Sequence, residues 1–310
     1  MFNYKRGYCK ICNKRTTHSF NNEWICLKCL EKMGLEETTD EEAEQKLKIV
    51  GNLTPKELSM LIKNDKPTKI RNYSLPTSDT KKIGIISDTH IGHEMFDEGL
   101  FKHAGQVFRK EKVEAVYHSG DILEGMSGRD GQVFELAQIG FSQQINYAEE
   151  LFKKYFKGLQ VYGITGNHDD WYKKRNNGGI SVGEELEKRV PNFHFLGENE
   201  ADVTLNPGIT MKLFHPGDGT AYATSYKLQK LIESLSGGKK PNLLVEGHYH
   251  KALYMFNRNV HGIEAGTLCG QTGWMRGKKI PAHKGFWILD MEFSKRGIKK
   301  LTPSFYPSYD

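Results

Sequence analysis

Residues 82–90 read Lys82-Ile83-Gly84-Ile85-Ile86-Ser87-Asp88-Thr89-His90, an apolar run of strand length that ends in a carboxylate and an imidazole two positions apart. Four more segments repeat the pattern. Ala115 to His118 leads into Gly120-Asp121, Gln160 to Thr165 into Gly166-Asn167-His168-Asp169, Met211 to Phe214 into His215, and Leu243 to Glu246 into Gly247-His248-Tyr249-His250. Short runs of this composition, closed by glycine or polar residues, predict strands. Gly262 to Leu268 and Phe286 to Phe293 read as two more. Amphipathic stretches over about Asp97 to Lys110, Val133 to Lys157 and Ala221 to Leu235 predict helices, and Ser181-x-x-Glu184 is a capping box. The alternation predicts an α/β domain, in which ligands bind in the crevice at the carboxyl ends of the strands.

The residues placed at those ends are hard or borderline metal ligands. Side chains alternate along an extended strand, so Asp88 and His90 are expected to face one cation, and His248 and His250 a pair of neighbouring cations. Glycines before Asp121, Asn167 and His248 suit backbone that turns tightly near a ligand. One Asp-x-His or Gly-Asp alone is weak, because a cap or a loop hydrogen bond explains it equally well. Five in order, each after a strand, exceed what structure alone requires. The seven other histidines, His18, His93, His103, His118, His194, His261 and His283, are expected in surface or loop roles, and Cys269 as a small buried apolar residue.

The chain has 310 residues, a net charge of +6 and a mean hydropathy of -0.60, and no segment approaches the ~20 apolar residues that span a bilayer. No membrane partner is expected. The start of the chain, Met1-Phe2-Asn3-Tyr4-Lys5-Arg6-Gly7, lacks the apolar stretch of a secretory signal, so the expected compartment is the cytoplasm, where paired cysteines favour metal over disulfide. Residues 1–30 hold six Lys/Arg and one acid, 31–50 three and seven, and 51–82 seven and three, leaving a body balanced at 28 basic and 27 acidic groups. This segregation predicts a boundary near residue 80. The expected domains are 1–35, 36–81 and 82–310.

Four of the five cysteines form Cys9-x2-Cys12 and Cys26-x2-Cys29. Two such pairs on tight turns bring four thiolates into a tetrahedron about 2.3 Å from a structural Zn2+, which predicts a zinc ribbon over residues 1–35. The local positive excess, with Tyr4, Tyr8, Phe20 and Trp24 interleaved, leans toward nucleic acid over a protein partner. Thr38 and Thr39, each three residues before Glu41 and Glu42, open an acidic helix to about Val50, and Thr54-Pro55-Lys56-Glu57 opens a second before a linker from Lys66 to Asp79.

The ordered set Asp88-x-His90, Gly120-Asp121, Gly166-Asn167-His168-Asp169, His215, Gly247-His248-x-His250 resembles the calcineurin-like metallophosphoesterase superfamily over about residues 82–290. The resemblance implies a four-layer α-β-β-α sandwich and two divalent metal ions. Asp88, His90, Asp121 and His250 would hold one, and Asp121, Asn167, His215 and His248 the other, with Asp121 bridging. It further implies attack on phosphorus by a metal-bridging hydroxide, with His168 stabilising charge or protonating the leaving oxygen and Asp169 orienting it. Mn2+ is the first expectation for the metal, and Fe2+, Zn2+ and Ni2+ are chemically acceptable. The Gly-Asn-His-Asp form is similar to that of DNA-repair exonucleases and related phosphodiesterases. Protein phosphatases instead carry GNHE and a GDxVDRG block, where this chain has Gly120-Asp121-Ile122-Leu123-Glu124-Gly125.

Trp171-Tyr172-Lys173-Lys174-Arg175 and Trp274-Met275-Arg276-Gly277-Lys278-Lys279 combine aromatic and cationic side chains and are expected to rim the site, favouring a polyanion. The leading expectation is therefore a phosphodiesterase acting on DNA as a nuclease. The alternatives are a phosphatase or nucleotide phosphodiesterase on a small substrate, and a nucleic-acid-binding module with a non-catalytic esterase fold.

Overall fold

The computed structural model describes residues 7–9, 13, 15–16, 19–20, 23–24, 73–174, 179–238 and 240–309. The chain divides into two compact units, Met1–Lys69 and Ile70–Asp310. In the first, β1 (Gly7–Tyr8) pairs antiparallel with β2 (Arg15–Thr16), and β3 (Ser19–Phe20) with β4 (Glu23–Trp24). Cys9 is buried at the end of β1, and its carbonyl accepts a 2.8 Å bond from the Asn13 N–H. Cys12, Cys26, Cys29, His18 and the two expected spacer helices lie outside the described residues.

In the second unit the residues expected to be linker already belong to the fold. β5 (Tyr73–Ser74) pairs parallel with β10 (Glu200–Asn206), and β6 begins at Thr80 (Thr80–Ile86). One six-stranded sheet runs β16-β15-β6-β7-β8-β9, where β7 is Ala115–Ser119, β8 Val161–Thr165, β9 Phe193–Glu198, β15 Gly285–Ser294 and β16 Gly297–Pro307. The other runs β13-β14-β12-β11-β10-β5, with β11 Ile209–Phe214, β12 Leu243–Glu246, β13 Ala252–Asn257 and β14 Val260–Ala265. β6 to β9 are parallel, as are β11, β12 and β14.

Every residue of β7 and β8 is buried, as expected of parallel strands covered on both faces. Between the sheets lie Ile83, Ile85, Tyr117 and Ile164 from one side and Val203, Met211, Leu213, Val245 and Ile263 from the other. On the outer face of the first sheet, α1 (Glu98–Lys110) and α2 (Gly140–Tyr155) bury Phe101, Phe108, Ile145 and Phe152. Each such side chain contributes about 1.5–3 kcal/mol. α1 starts where its sequence says it should, with the Asp97 carboxylate accepting from Leu100 N at 2.8 Å. α3 (Trp171–Lys174) and α4 (Val182–Arg189) follow, and Ser181 caps α4 from the Glu184 N–H as its box predicts. On the outer face of the second sheet, α5 (Tyr226–Ser234) packs Leu228 and Ile232 on Leu244 and Val260. A short α6 (Gly273–Gly277) lies between β14 and β15. This is the α-β-β-α sandwich.

Two helices differ from expectation. The run from Val133 splits into a 3-10 turn at Gln132–Glu135 and α2, because Ala137 N and Gln138 N donate to the Gly92 carbonyl and Gly140 adopts φ 81. α5 begins at Tyr226 because the segment before it is tied toward β12, Asp218 bonding Tyr249. Among the described residues no helix is long and apolar enough to cross a membrane.

Candidate metal centre

The carboxyl ends of β6, β7, β8, β11 and β12 converge, and all five motifs meet there. The expectation that Asp88 and His90 alternate along a strand extension is corrected. Both have φ 47, and Asp121, His248 and His250 have φ 52, 79 and 54. A non-glycine residue in this left-handed region costs roughly 1–3 kcal/mol, so it persists only where surrounding bonds impose it. Here Asp88 N donates to Gly120 O at 3.0 Å, His90 N to Asp121 O at 3.1 Å, and His248 N to the Asp88 carboxylate at 3.0 Å. Neighbouring strands thus hold each other's ligand loops. Gly166 allows the close approach: a Cβ there would stand 2.3 Å from Asp121 Oδ1 and 2.6 Å from His215 Nε2.

Two groups of donors result. In the first, His90 Nε2 and His250 Nε2 are 3.0 Å apart, with Asp88 Oδ1 at 3.9 and 3.4 Å. In the second, His215 Nε2 lies 3.2 Å from both Asp121 Oδ2 and Asn167 Oδ1, and the donor atoms of Asp121, His215 and His248 fall within 4.8 Å of one another. Asp121 Oδ2 is also 3.8 Å from His90 Nε2, which places this carboxylate between the groups. His90 Nδ1 is 2.9 Å from Glu124 Oε2, and His215 Nδ1 donates to Ser119 O at 2.7 Å. Those partners fix the tautomers and leave both Nε2 lone pairs facing the site. Facing imidazole lone pairs beside a carboxylate are an arrangement that a divalent cation satisfies, so the residues fit the implied metals. His248 Nε2 is turned to the Asp218 carbonyl at 2.6 Å.

The charges reinforce one another. Burial alone would raise the Asp121 carboxyl, but His215 and His168 hold it well below the usual carboxylate range. Burial would lower His168, but the carboxylates of Asp121 and Glu124 lift it to about 10. Its Nδ1 donates to Glu124 O at 2.8 Å and lies 3.4 Å from Glu124 Oε2. Its ring packs on Trp171, with centroids 4.0 Å apart.

Three further expectations are corrected. Asp169 does not orient His168: its buried carboxylate accepts from Ile122 N (3.0 Å), Leu123 N (2.9 Å) and Gly166 N (2.9 Å), tying the Asp121 loop to the Asn167 loop. The acid facing His168 is Glu124, which no motif in the sequence marks; its only signal is an acid three residues after Asp121 in the same loop. His118 is not a surface residue. It is fully buried in β7, 3.0 Å from Thr89 Oγ1, because the loop carrying Asp88 and His90 folds over it. Nor does the described part of the run from Trp171 supply a free cation, since Tyr172 is buried against Phe141 and Lys173 pairs with Glu198. Arg175 and the side chain of Lys174 lie outside the described residues.

A cavity of about 580 Å3 opens over both donor groups, and Trp171, Trp274, Met275 and Arg129 line it beside His168 and Glu124.

Curated relatives of this chain are DNA polymerase II small subunits. That of Halobacterium salinarum is 23% identical over 269 residues, covering 73% of this chain and 51% of that protein. That of Methanothermobacter thermautotrophicus is 23% identical over 264 residues, covering 71% and 53%. The chain thus spans about half the length of the curated relatives it matches. Similar solved structures include an archaeal phosphodiesterase (17% identity, TM-score 0.41, 73% of this chain and 99% of that one) and a phosphoesterase from E. coli (14%, 0.38, 71% and 98%). The model of the calcineurin-like phosphoesterase superfamily domain matches residues 82–292, which contain all five motifs. This chain belongs to the calcineurin-like phosphoesterase superfamily.

Proposed function

We propose that the chain is a metal-dependent phosphodiesterase that hydrolyses DNA. The observation that carries this reading is that two donor groups, Asp88–His90–His250 and Asp121–His215–His248, open on one cavity beside His168, whose Nδ1 is held by the Glu124 carbonyl. Asp88, His90, Asp121 and His250 would hold one divalent ion, and Asp121, Asn167, His215 and His248 the other. Such ions supply Lewis acidity toward phosphate oxygens and lower the pKa of a water. The rest falls to the chain itself. Glu124 and Ser119 fix which imidazole nitrogens face the site, and Asp169 locks the two ligand loops together. His168 carries the proton that the departing oxygen needs when water adds across the phosphorus–oxygen bond.

A diester of DNA is favoured over a small phosphate by the unpaired cations on the segment from Trp274 and by relatives named as subunits of a DNA polymerase. Cys9, Cys12, Cys26 and Cys29 would hold a structural Zn2+ in a ribbon that tethers the enzyme to nucleic acid or to a protein.

The test is turnover of a chromogenic phosphodiester and of DNA by the purified chain with Mn2+. Asp121→Ala and His168→Ala are expected to remove hydrolysis of both while the fold is retained. Unchanged turnover in either variant refutes the assignment. Turnover of mononucleotides with no preference for DNA would move the reading to a small-substrate phosphoesterase.

A further inference from the structure

We infer that the segment 271–280 is a subsite for single-stranded DNA, in which Trp274 stacks on an unpaired base next to the cleft and Arg276, Lys278 and Lys279 follow the departing backbone. This rests on the phosphodiesterase reading above and adds the form of the substrate to it.

The segment is built as a rigid ledge. Thr272 Oγ1 caps α6 by accepting from Met275 N at 3.2 Å, Gln271 Nε2 donates to Ile280 O at 2.8 Å, and Ile280 N donates to Met275 O at 2.9 Å. Met275 is buried beneath it, and Thr272, Met275 and Ile280 all line the cavity. Trp274 lines the cavity too, yet it is 51% exposed. An indole held half in water on a fixed ledge offers a flat apolar face for stacking at little entropic cost.

The cations around the cleft divide sharply. Arg129 pairs with Glu135, Lys173 with Glu198, Lys227 with Asp218 and Lys284 with Asp97. Arg276, Lys278 and Lys279 are exposed and have no acidic partner among the described residues. Among the described residues, exposed cations that are not already neutralised therefore follow directly on the exposed indole, where a polyanion leaving the site would pass. Duplex DNA presents base faces only at its ends, because every internal base is stacked on both sides. A strand whose bases are free meets both features at once.

The experiment is fluorescence anisotropy of a labelled phosphorothioate oligothymidylate, which resists cleavage, with the full chain and Mn2+. Trp274→Ala is expected to weaken binding by roughly 5- to 150-fold, the range for losing one stacked base, and Trp274→Phe to recover most of it. Replacing Arg276, Lys278 and Lys279 together by alanine is expected to reduce the slope of log affinity against log salt by about 2, at about 0.7 per phosphate on a single strand. The contribution of the rest of the chain cancels in these comparisons, and thermal unfolding checks that each variant is folded. Wild-type affinity in Trp274→Ala, an unchanged salt slope, or equal affinity for single strand and duplex each overturns the inference. Tighter binding of the same sequence as RNA overturns the assignment to DNA. A wild-type chain that hydrolyses the chromogenic diester but binds no oligonucleotide refutes this subsite alone. One that binds through Trp274 but hydrolyses no diester refutes the reaction and leaves the subsite standing.

Discussion

Replacing Asp169 by asparagine separates two roles that the same residue could play. In the structure its two oxygens take three backbone N–H groups, Ile122 and Gly166 on Oδ2 and Leu123 on Oδ1. Asparagine has almost the same shape but one acceptor. With its oxygen at the Oδ2 position it keeps two bonds, now without charge, and turns its NH2 toward the Leu123 N–H. One hydrogen bond to a charged acceptor is worth about 1.5–3 kcal/mol, and a buried donor left unpaired costs about 1–3 kcal/mol. These overlap, since the second is part of losing the first. The weakening of the two retained bonds brings the whole to about 3 kcal/mol, or a fall in melting temperature of roughly 6–12 °C for a unit of this size. The assay is thermal and denaturant unfolding of Asp169→Asn in the presence of a chelator, which isolates the loops from any metal, at pH 8, where the carboxyl that burial and the neighbouring Asp121 raise to about 7 is ionised. Turnover of the variant should fall as well, because Asp121 and Glu124 ride on the loop that Asp169 holds. Wild-type stability, with the loss confined to the pH profile of hydrolysis, would refute the clamp and restore Asp169 as the group that orients His168.

Gly166→Ala sets a Cβ 2.3 Å from Asp121 Oδ1 and 2.6 Å from His215 Nε2, so calorimetric titration should show metal affinity at the second donor group at least roughly tenfold weaker. Two metal equivalents bound with wild-type affinity would contradict the placement of that group. Glu264 and Glu246 stand opposite each other in register on β14 and β12, and among the described residues both Glu264 oxygens and Glu246 Oε2 find no partner. Burial pushes Glu264 from the ordinary 4.5 up to about 7. Between those values the native state keeps a proton that the unfolded chain has lost, so stability falls as pH rises across the window, by about 3 kcal/mol in full. Glu264→Gln should therefore match the wild type near pH 4 and exceed it in melting temperature at pH 8; a difference independent of pH would refute this account.

What the sequence made legible, and what it hid, follows from how far apart the interacting groups lie in the chain. Ser181 capping α4 is a bond spanning three residues and was readable as a capping box, while Asp97 was readable only as the start of an amphipathic run and the structure adds that it caps α1. The buried parallel strands β7 and β8 were readable because burial on both faces leaves a continuous apolar run. Strands β5, β9, β10, β13 and β16 are not among those the sequence predicts. β16 has a physical excuse: it is an edge strand of eleven residues carrying Pro303 and Pro307, and an edge tolerates the proline that the middle of a sheet rejects. β10 has none, since its Glu200–Asn206 stretch alternates buried and half-buried residues in full view.

The same distinction runs through the metal centre. Ligand identities were legible because metal chemistry restricts them to a few residue types, and their order survives in the sequence. The partners of those ligands were not, because a single Glu124 or Asp169 has no periodicity and takes its meaning from groups 34 and 46 residues away. Backbone conformation was hidden for a further reason. Asp88-x-His90 and His248-x-His250 have the spacing of an extended strand, yet all four residues are left-handed, because adjacent loops hydrogen-bond their backbones into that state. The strain at Asp88, His90, Asp121, His248 and His250 is thus distributed over three loops that brace one another. A substitution that loosens one loop should release ligands in the others, which is why Asp169, touching no ligand side chain, is expected to matter as much to the centre as a residue within it.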